Sequence, residues 1–279
     1  MKTGLILEGG AMRGMYTAGV LDRMMEAGIR FDGIMGVSAG ALFGVNYLSG
    51  QKGRAIRYNK RFNQDKDYLG LRPLLKEGNI VSTEYAYFRV PRQLDVFANE
   101  AFKKADTDFY AVVTNLKNGQ PEYKKVEDVF AQMDTLRASG SMPFVSKPVE
   151  IDGQLYMDGG VSDSIPFKAM KEMGYDRLLV VLTRDLSYRK KPMSPALISA
   201  FYYKYPEFAR QLKERHSVYN KSVRLLTRME KKGEIYCIRP SKPLSIGRLE
   251  TDPDKLQQVY DLGYEDALKE MESVRQYLT

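Results

Sequence analysis

The sequence predicts an α/β fold with a mainly parallel central sheet that is covered by helices on both faces. Apolar runs at residues 4–8 and 31–36 read as short strands, and hydrophobic residues recur between them at helical spacing. A second helix, rich in alanine, leucine and valine, is predicted over Ala39–Leu48. A helix joining two short apolar strands implies a parallel, right-handed crossover in a sheet buried on both faces.

Further elements follow along the chain. Strands are predicted at residues 108–115, 121–126, 177–183 and 235–240, with a hairpin at 149–157 that turns at Asp152-Gly153. Helices are predicted at 129–139, 166–173, 193–229 and 254–277, and short helices and loops at 59–81. No linker or repeat interrupts the pattern. We therefore expect one domain over residues 1–279, with a motif-bearing core at about 4–183 and a helical, basic part at about 193–279.

Composition places the chain among ordinary globular proteins, with 43% hydrophobic and 28% charged residues. No stretch approaches the roughly 20 apolar residues of a membrane-spanning helix, and the apolar start is too short for a secretory signal. The single cysteine, Cys237, excludes an internal disulfide and is predicted to lie in a buried strand. These features predict a cytoplasmic protein.

The net charge of +8 leaves the partner open. Basic residues gather at residues 52–61, 189–191 and 204–232. A solvated face is the simplest interpretation, and peripheral contact with anionic lipid head groups is the functional one. Nucleic acid is not expected as a partner, because no recognition module or zinc spacing accompanies the charge. No oligomeric state follows from these observations.

A serine stands in the pattern Gly36-Val37-Ser38-Ala39-Gly40, between a predicted strand and a predicted helix. A nucleophile on such a sharp turn has a strained backbone, and glycines flank it where side chains would clash. The helix that follows offers unpaired N–H groups and its positive dipole end to a developing oxyanion. The alternative is that Ser38 only caps the helix. The strand-turn-helix context favours the nucleophile.

A first glycine-rich turn precedes the predicted helix that leads to residue 31, and it is formed by Gly9, Gly10, Ala11, Met12, Arg13 and Gly14. It lacks the Gly-Lys-Ser/Thr ending of a phosphate loop. A dinucleotide fingerprint is weakened by Ala11, although Asp32 lies at the expected distance. Because both glycine turns end neighbouring parallel strands, we expect them to face each other, with the first turn forming an oxyanion hole beside Ser38. Arg13 would shape that loop or neutralise charge.

A Ser-His-Asp triad would need a histidine, and the chain has only His216, which stands in a charged helical segment. A carboxylate can serve as the base if burial raises its pKa. The best candidate is Asp158, which follows an apolar run and precedes Gly159 and Gly160. The alternative is a plain Asp-Gly turn, as predicted for Asp152-Gly153.

The combination resembles the compact bacterial patatin-like phospholipases. The resemblance rests on the glycine turn at residues 9–14, the 36–40 elbow and Asp158-Gly159-Gly160, in their usual order, and covers about residues 4–183. It implies a three-layer α/β sandwich and a Ser38–Asp158 dyad without histidine. Gly10 and Ala11 would supply oxyanion N–H groups, and no metal or cofactor is required. The family's turn usually has a third glycine where this chain has Ala11. N–H donation from an alanine there requires a negative φ.

The function that the resemblance implies is hydrolysis of carboxylic esters in (lyso)phospholipids or related acyl lipids through an acyl-enzyme. An acyltransferase with the same dyad, and a non-catalytic lipid-binding protein with the same fold, remain alternatives. An ordinary α/β-hydrolase fits less well, because Ser38 follows only the second strand. Residues 193–205 mix apolar, aromatic and basic side chains, which fits a lid, a membrane face or ordinary core.

Overall fold

The computed structural model describes residues 1–279 and contains eight strands and ten α-helices. The strands are β1 Thr3–Leu7, β2 Gly33–Val37, β3 Asp108–Asn115, β4 Pro121–Lys125, β5 Val149–Ile151, β6 Gln154–Asp158, β7 Arg177–Val181 and β8 Tyr236–Ile238. The helices are α1 Gly14–Glu26, α2 Ala39–Leu48, α3 Arg54–Phe62, α4 Leu71–Glu77, α5 Asn99–Lys103, α6 Met133–Gly140, α7 Phe167–Glu172, α8 Pro195–Phe201, α9 Pro206–Lys231 and α10 Pro253–Leu278.

All eight strands form one sheet in the order β5-β6-β3-β2-β1-β7-β8, with β4 paired to β3. The strands from β3 through β8 along this order are mutually parallel, whereas β4 and β6 run antiparallel to β3 and β5 runs antiparallel to β6. The sheet is therefore mainly parallel, as predicted. Its parallel β1 and β2 are joined through α1, as the apolar pattern required.

Each face of the sheet is covered by its own hydrophobic cluster. Leu5 and Leu7 of β1 point into the larger cluster with residues of α1, α2 and α10, whereas Ile6 points into a second cluster with residues of α7 and α9. Side chains that alternate between two buried faces require a cover on both sides. The chain therefore forms three layers, with the sheet in the middle.

The predicted hairpin turn is present. Asp152 and Gly153 both have positive φ, of 50° and 73°, between β5 and β6. The predicted helix at 129–139 starts later, at Met133, because Val129 and Phe130 donate their N–H groups to side chains of Asn99 and Asp128 instead. A π-helix at Glu84–Leu94 and the short α5 were not anticipated.

The closing helix α10 packs across α1 at two glycines. A Cβ at Gly19 would lie 2.1 Å from the carbonyl oxygen of Tyr260, and a Cβ at Gly263 would lie 2.1 Å from that of Tyr16. Only glycine permits backbones to approach this closely. Beside this contact Tyr16 donates a hydrogen bond to Asp266 over 3.2 Å. No helix of the chain has both the length and the apolar character to span a bilayer.

We expect Gly263→Ala to lower the free energy of unfolding by about 1–3 kcal/mol, because the added methyl group has to separate the two helices. This loss opposes the helix propensity of alanine, which by itself would stabilise the helix by about 1 kcal/mol. Equilibrium urea unfolding measures the change. Gln258→Ala, at an exposed position of the same helix, is the control and should stay within about 0.5 kcal/mol of the wild type.

The same unfolding experiment tests the prediction of a single domain over residues 1–279. One transition that coincides by fluorescence and circular dichroism is expected, since strands and helices from both ends of the chain share one sheet and one cluster. Two separate transitions would contradict the single domain. A Gly263→Ala variant as stable as the wild type would instead contradict the close packing of α1 against α10.

Candidate active site

Ser38 occupies the turn between β2 and α2 with a backbone that side chains rarely adopt, φ 54° and ψ −124°. The flanking glycines permit this turn. A Cβ at Gly40 would lie 2.3 Å from the carbonyl oxygen of Leu7, and a Cβ at Gly36 would lie 2.5 Å from the Cα of Ala41. The structure thus confirms that side chains at these two glycine positions would clash with the neighbouring backbone. A non-glycine residue held at positive φ stores strain that the surrounding packing has to maintain.

The hydroxyl of Ser38 does not cap α2. Its Oγ donates a hydrogen bond to Oδ2 of Asp158 over 2.7 Å, and both side chains are buried. The capping alternative is therefore wrong. The N–H of Ser38 donates to Oγ of Ser139 in α6 over 2.9 Å, which ties the turn to the next helix. Sequence reasoning assigned no role to Ser139, because its partner is far away in the chain.

Asp158 ends β6, where it lies in register with Val113 of β3. Its second carboxylate oxygen, Oδ1, accepts the N–H of Gly160 over 2.7 Å. Gly159 is required by close packing, because a Cβ there would lie 2.2 Å from the carbonyl oxygen of Val112. The motif is therefore not a plain solvent-exposed Asp-Gly turn.

The pKa of Asp158 is raised above its ordinary value, because burial disfavours the charged carboxylate. The positive charge of Arg215, the hydrogen bond from Ser38 and the N–H of Gly160 oppose this shift. Arg215 lies close by, since a Cβ added at Gly160 would be 3.1 Å from its guanidinium nitrogen Nη2. Asp158 thus combines a hydrogen bond to the serine with an enhanced affinity for a proton.

The first glycine turn faces the second, as expected from their places at neighbouring strand ends. A Cβ at Gly9 would lie 2.8 Å from the Cβ of Ser38. The N–H groups of Gly10 and Ala11 have no acceptor within the protein. The φ of Ala11 is 49°, so the negative φ that N–H donation from an alanine at this position was taken to require is not present. The alanine keeps the left-handed conformation that glycine would adopt, at a small steric cost.

The other residues of this turn have separate surroundings. Met12 donates its N–H to the carbonyl oxygen of Arg248 over 3.4 Å. Gly14 packs against Ala39 and Phe43 of α2. The Arg13 side chain makes no hydrogen bond or ion pair within the protein, so it does not fasten the loop in this way.

The remaining candidates lie apart from Ser38. His216 donates from Nδ1 to the carbonyl oxygen of Lys213 over 3.0 Å, and it lines neither of the cavities that contain Ser38. Cys237 lies half-buried in β8, where burial raises the pKa of its thiol to about 12. Asp32, the acidic residue of the weakened dinucleotide pattern, binds Thr3 at the opposite edge of the sheet. Asp158 is the only one of these groups placed to act on Ser38.

Two cavities meet at Ser38. The first, which we call the apolar groove, has a volume of about 130 Å³, and 19 of its 26 lining residues are hydrophobic. They include Leu42, Phe43, Tyr58, Leu69, Tyr87 and Phe97. The second has a volume of about 260 Å³ and contains five basic side chains. We call it the cationic chamber; its basic residues are Arg13, Arg184, Lys190, Arg215 and Arg248.

Segment 193–205 has both buried and exposed side chains. Ile198 and Tyr202 are buried in a small cluster with residues of α9, whereas Phe201 and Tyr203 are exposed. Met193 lines the cationic chamber. One face of the segment is therefore core, and the other faces solvent.

Comparison with known proteins agrees with this geometry. The profile of the patatin-like phospholipases matches residues 5–171. The chain belongs to this family. Its fold is accordingly the α/β, patatin-like sandwich that the sequence predicted. Residues 205–279 match a second profile, a domain of unknown function designated DUF6363.

Several relatives share the patatin-like part. The uncharacterized protein YjjU of Escherichia coli K12 is 30% identical over 186 residues, which are 65% of this chain and 52% of YjjU. The uncharacterized NTE family protein Mb1092c of Mycobacterium bovis is 27% identical over 64% of this chain and 48% of its own length. Lysophospholipase nte1 of Aspergillus fumigatus is 28% identical over 64% of this chain and 12% of its own length. The chain thus spans about half the length of the first two relatives.

Among solved structures, VipD from Legionella pneumophila aligns with 98% of this chain and 67% of its own chain. The TM-score is 0.46 and the identity 13%, which is too low to support any inference. At the level of the family, the comparisons support a lipid hydrolase.

Proposed function

We propose that this chain is a lipid acyl hydrolase in which Ser38 is the nucleophile and Asp158 is the general base. The observation that carries the proposal is the 2.7 Å hydrogen bond from Ser38 Oγ to a buried carboxylate whose pKa is raised. A base must lie within hydrogen-bond reach of the proton it takes, and its pKa should be near the working pH. Asp158 meets the first condition without a histidine, and burial shifts its pKa in the direction that the second condition requires.

The reaction would proceed in two steps. Ser38 Oγ attacks the ester carbonyl while Asp158 takes its proton, and the free N–H groups of Gly10 and Ala11 stabilise the oxyanion. Asp158 then returns the proton to the departing alcohol oxygen, which leaves an acyl-enzyme. Water, deprotonated by the same carboxylate, attacks the acyl-enzyme and releases the fatty acid. No step requires a metal ion.

The apolar groove suits the acyl chain of such a substrate. It begins at Ser38 and runs among side chains of α2, α3 and the π-helix, including Phe43, Tyr58 and Val90. Burying hydrocarbon there would contribute about 0.8 kcal/mol per methylene group. This binding energy acts next to the reacting carbonyl, where it holds the ester in position.

Transfer of the acyl group to an alcohol instead of water remains the second enzymatic candidate, because the same dyad would form the same acyl-enzyme. Product analysis with added glycerol or lysolipid distinguishes the two reactions. A new ester would indicate a transferase, whereas free fatty acid alone would indicate a hydrolase.

The dyad is tested with short-chain p-nitrophenyl esters. We expect Ser38→Ala and Asp158→Ala each to lower kcat by about 10³-fold or more, because removing a single member of a catalytic unit removes most of its effect. A fluorophosphonate probe should label the wild type and fail to label Ser38→Ala. Ser49→Ala, at a buried serine that lines neither cavity, is the control and should keep wild-type activity and labelling.

Two results would contradict the dyad. Hydrolysis that survives both substitutions would exclude it. Failure of the probe to label the wild type, together with no ester hydrolysis, would favour the non-catalytic lipid-binding protein.

The charge of Arg215 should influence the pH below which activity is lost. Asp158 must be ionised to act as a base, so kcat/KM falls as the pH drops through its raised pKa. The guanidinium of Arg215 and the ammonium of Lys190 favour the ionised form. Arg215→Gln should therefore raise the pKa of Asp158 further and move the acid limb to higher pH.

The measurement is kcat/KM for a p-nitrophenyl ester against pH, with Arg224→Gln as the control. Arg224 is exposed on the same helix, α9, and lines neither cavity. An acid limb that stays in place in Arg215→Gln, or shifts to lower pH, would show that another group governs ionisation.

We also propose that the groove is loaded at an anionic membrane surface. Helix α4 exposes Leu71 and Leu75, whose accessible fractions are 72% and 86%, and it follows directly after Leu69, which lines the groove. Exposed Lys66 and Lys76 flank these leucines. Apolar side chains with adjacent lysines are the combination that binds the boundary between head groups and acyl chains.

Co-sedimentation with anionic and neutral liposomes at low and high salt tests this docking. The wild type should bind anionic vesicles at low salt and dissociate at high salt, and the double variant Leu71→Ser, Leu75→Ser should bind several-fold more weakly. Leu268→Ser, at a half-exposed leucine on α10, is the matched control. Equal binding by the double variant and the wild type would rule out α4 as the docking element.

A further inference from the structure

The cationic chamber holds five basic side chains that no salt bridge within the protein pairs. None of their side chains forms a salt bridge or a side-chain hydrogen bond within the protein. The Nε atoms of Arg13 and Arg215 are buried without any hydrogen-bond partner. Elsewhere the fold does pair a buried arginine, since Arg54 lies 3.1 Å from a carboxylate oxygen of Asp95. The unpaired cations are thus a property of this chamber.

The carboxylates of the chamber are too few to balance these charges. Only Glu8 and Asp158 line it, and both have other partners. Glu8 accepts the N–H and the hydroxyl of Thr183 over 2.6 and 3.1 Å, and Asp158 accepts from Ser38 and Gly160. A surplus of positive charge in a partly buried cavity is unfavourable unless an anion enters it.

The pKa values of the cations agree with mutual repulsion in a sheltered site. Burial, and then the charge of Arg215, lower the pKa of Lys190 to about 7. Burial, and then the charge of Arg184, lower the pKa of Arg13 to about 10. A bound anion would relieve both effects.

The position of the chamber identifies which part of a substrate would enter it. Ser38 lines both the apolar groove and the chamber, and Arg248 stands at the boundary between them. An ester whose carbonyl carbon lies at Ser38 and whose acyl chain occupies the groove would therefore place its alcohol part in the chamber. With about 260 Å³ the chamber has room for several water molecules of about 30 Å³ each, and hence for a phosphorylated polyol.

A zwitterionic head group fits this chamber poorly. Its ammonium would need a free carboxylate or an open aromatic face. Of the chamber's three aromatic rings, Tyr188 and Tyr219 already face cations, with Arg184 at 4.0 Å and Lys190 at 4.3 Å from the ring centroids. The third, Phe144, packs against the rings of Phe201 and Tyr202. The chamber thus favours an anion that carries no positive substituent.

We infer, on the basis of the hydrolase proposed above, that the cationic chamber binds the phosphate of the substrate's alcohol part. The substrate class is an acyl ester of a glycerol phosphate whose phosphate bears no cationic group. Arg184, Lys190, Arg215 and Arg248 lie beyond residues 5–171, and the last two belong to the 205–279 region of unknown function. That region therefore contributes head-group specificity to the patatin-like catalytic part.

A substrate series with one acyl chain tests the inference. We expect kcat/KM to be highest for 1-oleoylglycerol 3-phosphate, and lower for 1-oleoylglycerol and 1-oleoylglycerophosphocholine. Arg215→Gln should lower the ratio of kcat/KM for the phosphate ester over that for 1-oleoylglycerol by about 10- to 100-fold, because a charge-assisted hydrogen bond is lost. The ratio cancels any effect on Asp158, since both esters react through the same dyad.

Two further variants serve as a second test of the chamber and as a control. Arg248→Gln, at an exposed position on the rim, should lower the same ratio without disturbing a buried group. Arg224→Gln removes one charge from the exposed side of α9 and should leave the ratio unchanged. Equal kcat/KM values for the three esters, or a preference for the phosphocholine ester, would overturn the inference.

Binding to Ser38→Ala separates this inference from the proposed hydrolase. Calorimetric titration should show binding of glycerol 3-phosphate and none of glycerol, and Arg215→Gln should weaken the binding about tenfold or more. Ester hydrolysis without binding of any phosphate would overturn the chamber and leave the hydrolase intact. Binding of inorganic phosphate without a preference for the phosphate ester would assign the site to a free anion and overturn the head-group role. Binding of glycerol 3-phosphate by a chain that hydrolyses no ester would support the anion site and contradict the hydrolase.

Discussion

The close approach of three backbone turns at the edge of the sheet is the constraint on which the rest of this structure depends. Gly9, Gly40 and Gly159 each lie so near a neighbouring strand end that a Cβ would come within 2.2–2.8 Å of it. These contacts bring the ends of β1, β2 and β6 together, although β6 is antiparallel to its neighbour β3. The serine, the carboxylate and the free N–H groups can meet because the residues at these three contacts are glycines.

The close approach of these turns also determines the pKa of Asp158. Excluding water from the edge raises the pKa of Asp158, and Arg215 limits that rise from the helix that covers the second face of the sheet. A carboxylate with these two opposing influences can be ionised yet remain a good proton acceptor. In the proposed mechanism, burial and a nearby positive charge would thus adjust the basicity of Asp158, which takes the place of a histidine.

Sequence patterns predicted those parts of the fold and site that are determined locally. The run from β1 to α2 and the Asp152-Gly153 hairpin follow from short motifs with distinctive residues. The pairing of Ser38 with Asp158 was implied by the resemblance to a known family, which combines several such motifs. Ser139 and Arg215 were missed as partners, because their contacts with Ser38 and Gly160 join segments far apart in the chain. No local pattern marks such residues; a basic helix looks the same whether its arginine faces solvent or a cavity.

Ala11 has a backbone conformation that no local pattern predicts. Its φ is 49°, although alanine avoids the left-handed region, because the packing of Gly9 against Ser38 and of Gly14 against Phe43 constrains the turn at both ends. Tertiary contacts therefore override a local preference that is worth about 1–2 kcal/mol.

The relation between the two cavities follows from how the layers are connected. The apolar groove is lined from the face that carries α2 and α3, whereas α9 and the loops after β7 and β8 contribute most of the basic side chains of the chamber. Since Ser38 stands at the sheet edge between these faces, an amphipathic ester can place its hydrocarbon on one side and its charge on the other. In the proposed reaction the patatin-like part would supply the nucleophile and the hydrocarbon side, and the chain beyond it would supply most of the charge. If the chamber binds the alcohol part as inferred, different C-terminal regions attached to the same strand ends would change which alcohol part is accepted while leaving the acyl chemistry as it is.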